Sequence, residues 1–374
     1  MLCPRCGNEY TLPRCACGFD GTRDCAAFPT LMPIVREDWQ QVRPGQEAAP
    51  AAGRGRLPLL TRLSVVPIQW QEPAIEAAVR RELGQSEGPI TCRQAAGVTR
   101  LSFSFRADLS TLQDLVWLTG LKELWLVCPH VTDLTPLLGL TGLEKLVLGS
   151  SGLPDLTLLA GMTQLKVLWL LDSGITDLAP LAKLPQLTEL WLQDFDLADL
   201  SLLPELPVLE KLMLDRCRIT DLALPVGTSQ LEDLSLSQCS ITHLSLSAGL
   251  PKLHRLCLQD CTIGHFAPLT GLPALESLWV DRCGFADLTP LAGMSQLRYL
   301  SLTENNITDL TPLAGITQLH SLRLERNSIA DITPLRNLEK PLNLDLDNNR
   351  IADFSPIEAL IPKILFYSAK GQKV

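Results

Sequence analysis

The chain has 374 residues, 46% of them hydrophobic and 20% charged, enough apolar material for a large buried core. Its net charge of -9 and pI near 5.2 argue against a general nucleic-acid binder, whose affinity for phosphates rests on clustered Lys and Arg. The opening MLCPRCGNEY has no apolar h-region, and no apolar run reaches the roughly 18 residues of a membrane helix, so the expectation is a cytoplasmic protein without a membrane partner.

Residues 1–28 carry Cys3-Pro-Arg-Cys6-Gly7 and Cys15-Ala-Cys17-Gly18. Two close pairs of thiolates suit tetrahedral zinc, each pair forming one edge while the glycine permits the tight turn. The motif resembles zinc-ribbon knuckles of the CPxCG type, so Cys3, Cys6, Cys15 and Cys17 are the expected ligands of a structural zinc. The second knuckle is shortened to C-x-C, which leaves Cys25 open as a substitute. Residues 29–66 read as a linker, with RPGQEAAPAAGRGRLP at 43–58 rich in Pro, Gly and Ala. Over 67–97, Ile68-Gln-Trp70 predicts an edge strand. Glu72-Pro73 opens an amphipathic helix through Ile75, Val79 and Leu83, which Gly84 stops.

From Leu121 a leucine returns every 22 residues through Leu143, Leu165, Leu187, Leu209, Leu231, Leu253, Leu275, Leu297 and Leu319. Each unit reads L-x-x-L-x-L, then a polar stretch, then I/L-x-D-L-x-P-L, as in Leu297, Leu300, Leu302, Asn305, Ile307, Asp309, Leu310, Pro312 and Leu313. This resembles the leucine-rich repeat, in which one strand and one short turn make a coil that only its neighbours can bury. The expected fold is an α/β leucine-rich repeat solenoid: a curved right-handed coil with a parallel concave sheet and short 3-10 or helical turns on the convex side. About 12 repeats span 98–362, the first being degenerate. Thr-Pro and Ser-Pro pairs such as Thr135-Pro136 and Ser355-Pro356 predict a hydroxyl at the N-cap of each outer turn, and coils near 222–250, which lack the pair, are expected to be less regular there. Residues 363–374 predict an edge strand, from Lys363 to Tyr367, and a charged tail.

The phrase ITDLTPLAGL and its spacing resemble internalins and the regulatory subunit of protein phosphatase 1, over 72–362. The segment from Glu72 to Phe103 resembles the helical N-terminal cap of the internalin-like bacterial proteins. The resemblance implies recognition of a protein by the concave sheet, with no chemistry of the chain's own. Unlike internalins, the sequence shows no signal peptide, no LPxTG anchor and no long C-terminal domain, which counts against surface adhesion.

Cys217, Cys239, Cys261 and Cys283 share one repeat position with Asn305, Asn327 and Asn349. Either residue can turn inward and satisfy the backbone of the bend, so a structural ladder is expected rather than a metal wire or disulfide chain. His243 and His265 occupy the position held by Asp133, Asp309 and their equivalents, and are read as hydrogen-bonding substitutes for Asp.

The residue between the last two leucines of each strand must point away from the core. That column includes Trp125, Val147, Trp169, Trp191, Met213 and Trp279, with Val127 and Leu171 two residues further along their strands. The scaffold does not call for indoles, and tryptophan is enriched at binding hot spots, so these eight residues are the expected contacts for a protein or peptide. Two copies meeting at this face, or indoles that only shield the sheet, are the competing uses. No Walker loop, H-E-x-x-H or G-x-S-x-G is present, so no enzyme is expected. An alternative function is docking of nucleic acid or a larger complex by the ribbon, with the repeats as spacer; against it, residues 1–56 hold seven Arg and six Asp or Glu, without a basic cluster.

Overall fold

In a repeat of this kind the strand forms where alternate leucines can share one face, and the coil closes where a polar corner turns the chain. The structure, a computed structural model, describes residues 66–373 apart from 105–106, 129–130, 132, 150–154, 172–174, 176, 200–205, 223, 225, 245, 247–249, 267–268 and 340–341. The expected ribbon, with Cys3, Cys6, Cys15 and Cys17, and the linker up to residue 65 lie outside the described residues. The chain divides into two compact units, Met1–Gly152 and Leu153–Val374.

In the first unit, β1 (Arg100–Phe103), β2 (Glu123–Val127) and β3 (Lys145–Gly149) are parallel, with Leu124 in register with Leu101 and Leu146. Ahead of them lie α1 (Pro73–Leu83) and α2 (Cys92–Ala96). Proline sits in the first turn of α1 and Gly84 closes it in a left-handed conformation at φ 63°, while Thr91 and Gln94 form a capping box on α2. Two buried carboxylates tie α1 to the first coil. Asp114 accepts from the backbone N–H of Gln71 and Glu72 at 2.8 and 2.7 Å, and Glu72 accepts from Ser110 N, Ser110 Oγ and Thr111 N at 2.9, 2.7 and 3.1 Å.

In the second unit the main sheet takes, in spatial order, β4 (Val167–Leu171), β5 (Glu189–Gln193), β7 (Lys211–Asp215), β9 (Asp233–Ser237), β11 (Arg255–Gln259), β13 (Ser277–Asp281), β14 (Tyr299–Ser301), β15 (Ser321–Arg323), β16 (Leu342–Asp345) and β17 (Ile364–Ser368). Equivalent leucines pair in register, as Leu190 with Leu212 and Leu278 with Leu300, and they are fully buried or nearly so. A second parallel sheet, absent from the sequence expectation, joins β6 (Asp196–Asp199), β8 (Arg218–Asp221), β10 (Ser240–Leu244) and β12 (Thr262–Phe266). The strands β8 and β10 precede the outer segments near 222–250 that were expected to be irregular, and those segments, where 223, 225, 245 and 247–249 lie outside the described residues, include only the short turn Val226–Thr228.

The corner residue explains where this second sheet stops. The Cys239 thiol donates to Leu214 O and Ser237 O, and Cys217, Cys261 and Cys283 do the same in their coils. Asn305 donates in the same way but also accepts from the N–H groups of Cys283 and Phe285 in the coil before. A thiol is a poor acceptor, so at Cys corners those N–H groups remain for strand pairing. The register follows. Arg218, Ser240 and Thr262 donate to Phe195, Cys217 and Cys239, whereas after the change to asparagine Asn306, Ser328 and Arg350 donate to Phe285, Ile307 and Ile329, two residues further on.

The outer 3-10 turns, such as Thr135–Gly139 and Thr311–Leu313, have leucine at the N-cap and no side-chain cap from it. The expected hydroxyl cap is instead supplied by the aspartate two residues before the threonine. Asp309 Oδ1 accepts from Thr311 N and Thr311 Oγ1 at 2.8 and 2.6 Å, and Asp133 does the same for Thr135. At the C-terminal end, β17 pairs with β16 as a parallel strand. Gln372 there imitates a corner asparagine, accepting from Ile351 N and donating to Leu346 O.

Candidate functional site

Strand parity places the expected contact column opposite the leucines. Leu168, Leu170, Leu190 and Leu192 are fully buried in the core, and Trp169 and Trp191 lie between them in register on the other face. Their ring centroids are 4.7 Å apart with planes at 66°, an edge-to-face pair, and Trp169 Nε1 donates to Glu189 Oε1 at 2.9 Å. Met213 is the next residue in the row.

The column is not uniformly open. Trp191 is 3% exposed, Trp279 7% and Leu171 7%, while Trp169 and Met213 are half-buried. In the second unit, therefore, the accessible apolar surface of this column is made by Trp169 and Met213, with the buried Trp191 between them. Trp279 lies under Arg255, whose guanidinium carbon is 5.8 Å from the ring centroid, and Arg255 also pairs with Asp233 at 3.0 Å. In the first unit Val147 is fully buried, and Trp125 and Val127 are half-buried; Lys145 Nζ stands 5.2 Å from the Trp125 ring centroid.

The neighbouring column on the same face of the second unit is polar and desolvated. Gln193 is buried, its Oε1 has no hydrogen-bond partner among the described residues, and its amide donates to Asp194 at 3.0 Å. Burial raises the carboxyl of Asp215 above its ordinary range, against the pull of Arg216 at 3.0 Å. Burial likewise pushes Asp281 up to about 6, although Ser301 Oγ and Thr303 N donate to it. In the tryptophan column itself, Asp345 is pushed up to about 7 by burial and by the neighbouring Glu325 carboxyl.

Beyond this column each coil holds a non-glycine residue in the left-handed region, at φ of 51–60°, just before the corner: Asp194, Arg216, Gln238, Asp260, Arg282, Glu304, Arg326 and Asn348. Such backbone costs roughly 1–2 kcal/mol per residue. Where acid and base adjoin in this row, adjacent coils are bridged: Arg216 makes a two-pronged pair with Asp194, Arg282 pairs with Asp260 in the same way, and Arg326 reaches Glu304 at 2.8 Å, while Gln238 and Asn348 are uncharged. These opposed charges are visible in the sequence at the position before each corner residue.

The residues that the expected hydrogen bonds of His243 and His265 would reach, 245 and 267, lie outside the described residues. Both imidazoles are exposed, side by side at 6.3 Å between centroids. Among the described residues no group of three or more His, Cys, Asp or Glu could hold a metal ion. No helix among the described residues is long and apolar enough to cross a membrane.

Residues 295–337 match the family model described as Leucine Rich repeats (2 copies). Among solved structures, the chain is similar to an internalin (inlF) from Listeria monocytogenes str. 4b F2365, at 25% identity and a TM-score of 0.61, over 80% of this chain and 94% of that one. It shares its fold with the APL1 leucine-rich repeat domain, at 22% identity and a TM-score of 0.53, over 68% of this chain and 69% of the other. The TLR13–ssRNA13 complex gives 21% identity and a TM-score of 0.53, over 68% of this chain and 41% of that one. No curated protein matches the chain in sequence. Repeat motif, parallel sheet and neighbours agree: this is a leucine-rich repeat protein with internalin-like structural neighbours.

Proposed function

We propose that the protein is a non-enzymatic scaffold that binds a protein or peptide segment on the open face of its main sheet, the face expected to be concave. Leucine-rich repeat proteins generally mediate protein–protein interaction, and the internalin-like neighbours fit that use. In the second unit the contact is centred on Trp169 and Met213, with Trp191 between them and Leu171 and Trp279 at its margins; in the first unit Trp125, Val127 and Val147 supply the equivalent column. The observation that carries the reading is the half-buried indole of Trp169 and thioether of Met213 on the sheet face opposite the leucine core. The desolvated carboxyls of Asp215, Asp281 and Asp345 further along the face favour a ligand with basic side chains.

Selection from a displayed random peptide library tests this. Wild type should enrich peptides combining aromatic or aliphatic with Lys or Arg residues, and Trp169→Ala with Met213→Ala should lose them. Enrichment of acidic peptides, or binding indifferent to both substitutions, would overturn the reading.

Cys3, Cys6, Cys15 and Cys17 form a structural zinc site on the strength of their spacing. A reducing compartment, the cytoplasm, suits the corner thiols, which act as hydrogen-bond donors only while reduced.

A further inference from the structure

We propose that a second copy of this chain pairs along β17, the two strands running antiparallel about a twofold axis at Phe366. In the main sheet β17 pairs with β16 alone, so its other edge is open among the described residues. Leu365 is 76% exposed, Phe366 54% and Tyr367 38%, three successive apolar side chains on a strand that holds neither charge nor proline from Ile364 to Ser368. Open edges are ordinarily guarded by such residues, because unpaired N–H and C=O groups recruit another strand. In the first unit, by contrast, β1 carries Arg100 and has α1 packed against it.

Hydrogen-bond direction fixes the register. Ser368 O accepts from Leu346 N and Lys370 O from Asn348 N, so these residues turn their backbone groups toward the coil of β16. In a parallel ladder the alternate residues face the other way, which leaves the N–H and C=O of Leu365 and Tyr367 on the open edge. About an axis at Phe366, Leu365 of each copy stands opposite Tyr367 of the other, and each such pair exchanges two hydrogen bonds. Phe366 then meets its own counterpart in a non-hydrogen-bonded pair, with Cα atoms about 4.5 Å apart and the aromatic rings within reach of each other. The strand is thus its own complement, apolar against apolar. Such an isologous contact closes on itself: two copies use up both edges and no fibre grows. The edge with its three side chains offers on the order of 450 Å² per copy, about 900 Å² in all, the small end of specific interfaces, so the dimer belongs to the weak class that forms at micromolar concentrations and above.

Sedimentation equilibrium of the full chain from about 5 to about 300 µM tests this, a range chosen for a weak contact. Wild type should pass from monomer to dimer and no further. Phe366→Lys sets two like charges against each other on the axis and should raise the dimer Kd at least about tenfold, with the midpoint of thermal unfolding unchanged. Oxidation reads the register: Phe366→Cys should give a disulfide-linked dimer, located by peptide mass spectrometry, whereas Leu365→Cys should not, because its two copies lie about 9 Å apart, beyond the reach of a disulfide. A wild type that stays monomeric throughout, or a dimer indifferent to Phe366→Lys, would overturn the proposal. So would a dimer that is lost in Trp169→Ala but kept in Phe366→Lys, which would put the contact on the tryptophan face, and linkage through Leu365→Cys in place of Phe366→Cys would overturn the register.

Discussion

Trp169 and Trp191 touch, yet the structure gives them different work, and alanine at each separates the two roles. Trp191 is 3% exposed and packs against the Trp169 ring at 4.7 Å, so truncation opens a void between two coils. Removing a buried tryptophan costs about 3–5 kcal/mol, and the low end suits a side chain on the sheet face rather than in the leucine core. At about 2–4 °C per kcal/mol for chains of this size, Trp191→Ala should lower the midpoint of thermal unfolding by roughly 6 °C or more. Trp169 is half-buried and is held from its edge by Glu189. Its truncation should cost about 1 kcal/mol of stability, within the ordinary range for single substitutions, but about 2 kcal/mol of binding, near thirtyfold in Kd, as for a hot-spot residue. Differential scanning calorimetry of both variants, together with binding of a selected peptide, decides the matter. Equal losses of stability with undiminished binding by Trp169→Ala would refute the division of roles.

Other substitutions probe the frame around this face. Glu72 has its carboxyl held below the ordinary range: burial alone would raise it, but donors from Ser110, Thr111 and Ala74 prevail. Its ionised form therefore stabilises the fold above the usual carboxylate pKa, and that contribution should disappear as pH falls through the lowered value; Glu72→Gln should flatten this acid limb, as followed by denaturant titration at several pH values. Asp345 has the opposite sign. With its carboxyl at about 7, ionisation opposes folding, so Asp345→Asn should stabilise by roughly 1 kcal/mol at pH 8 and have little effect at pH 4, measured by denaturant titration. Burial pushes the Cys128 thiol up to about 11, so iodoacetamide at pH 8 should label it only after unfolding. Cys239→Asn should draw the N–H groups of the previous coil away from strand pairing, and amide exchange in β8 and β10 should rise while β7 and β9 stay protected. Zinc analysis of Cys3→Ser and Cys15→Ser should show loss of about one equivalent, the stoichiometry of a four-cysteine site.

The repeat was legible because every coil repeats the same alternation: Leu190 and Leu192 had to face the core, and Trp191 had to face away. Its near-complete cover was not legible, since it depends on Trp169 of the coil before and Met213 of the coil after, and on the side-chain angles they adopt. The cysteine ladder was foreseen as a structural substitute for asparagine. Its consequence was missed: a residue that donates without accepting frees two N–H groups, and a second sheet takes their place from β6 to β12. The Thr-Pro signal correctly marked the outer turns but assigned the cap to the wrong oxygen, because Asp133 and its equivalents lie outside the turn and reach in by two residues. His243 and His265 stand in the position of those aspartates, and the residues two further on that they would hold, 245 and 267, lie outside the described residues.

The central claim is that a ligand rests on Trp169 and Met213, with the buried Trp191 between them. Its most direct measurement is the Kd of a library-selected peptide for wild type, Trp169→Ala and the surface control Lys252→Ala, by isothermal titration calorimetry. The account predicts about a thirtyfold loss for Trp169→Ala alone. Unchanged affinity in a Trp169→Ala variant that folds as the wild type does would contradict it.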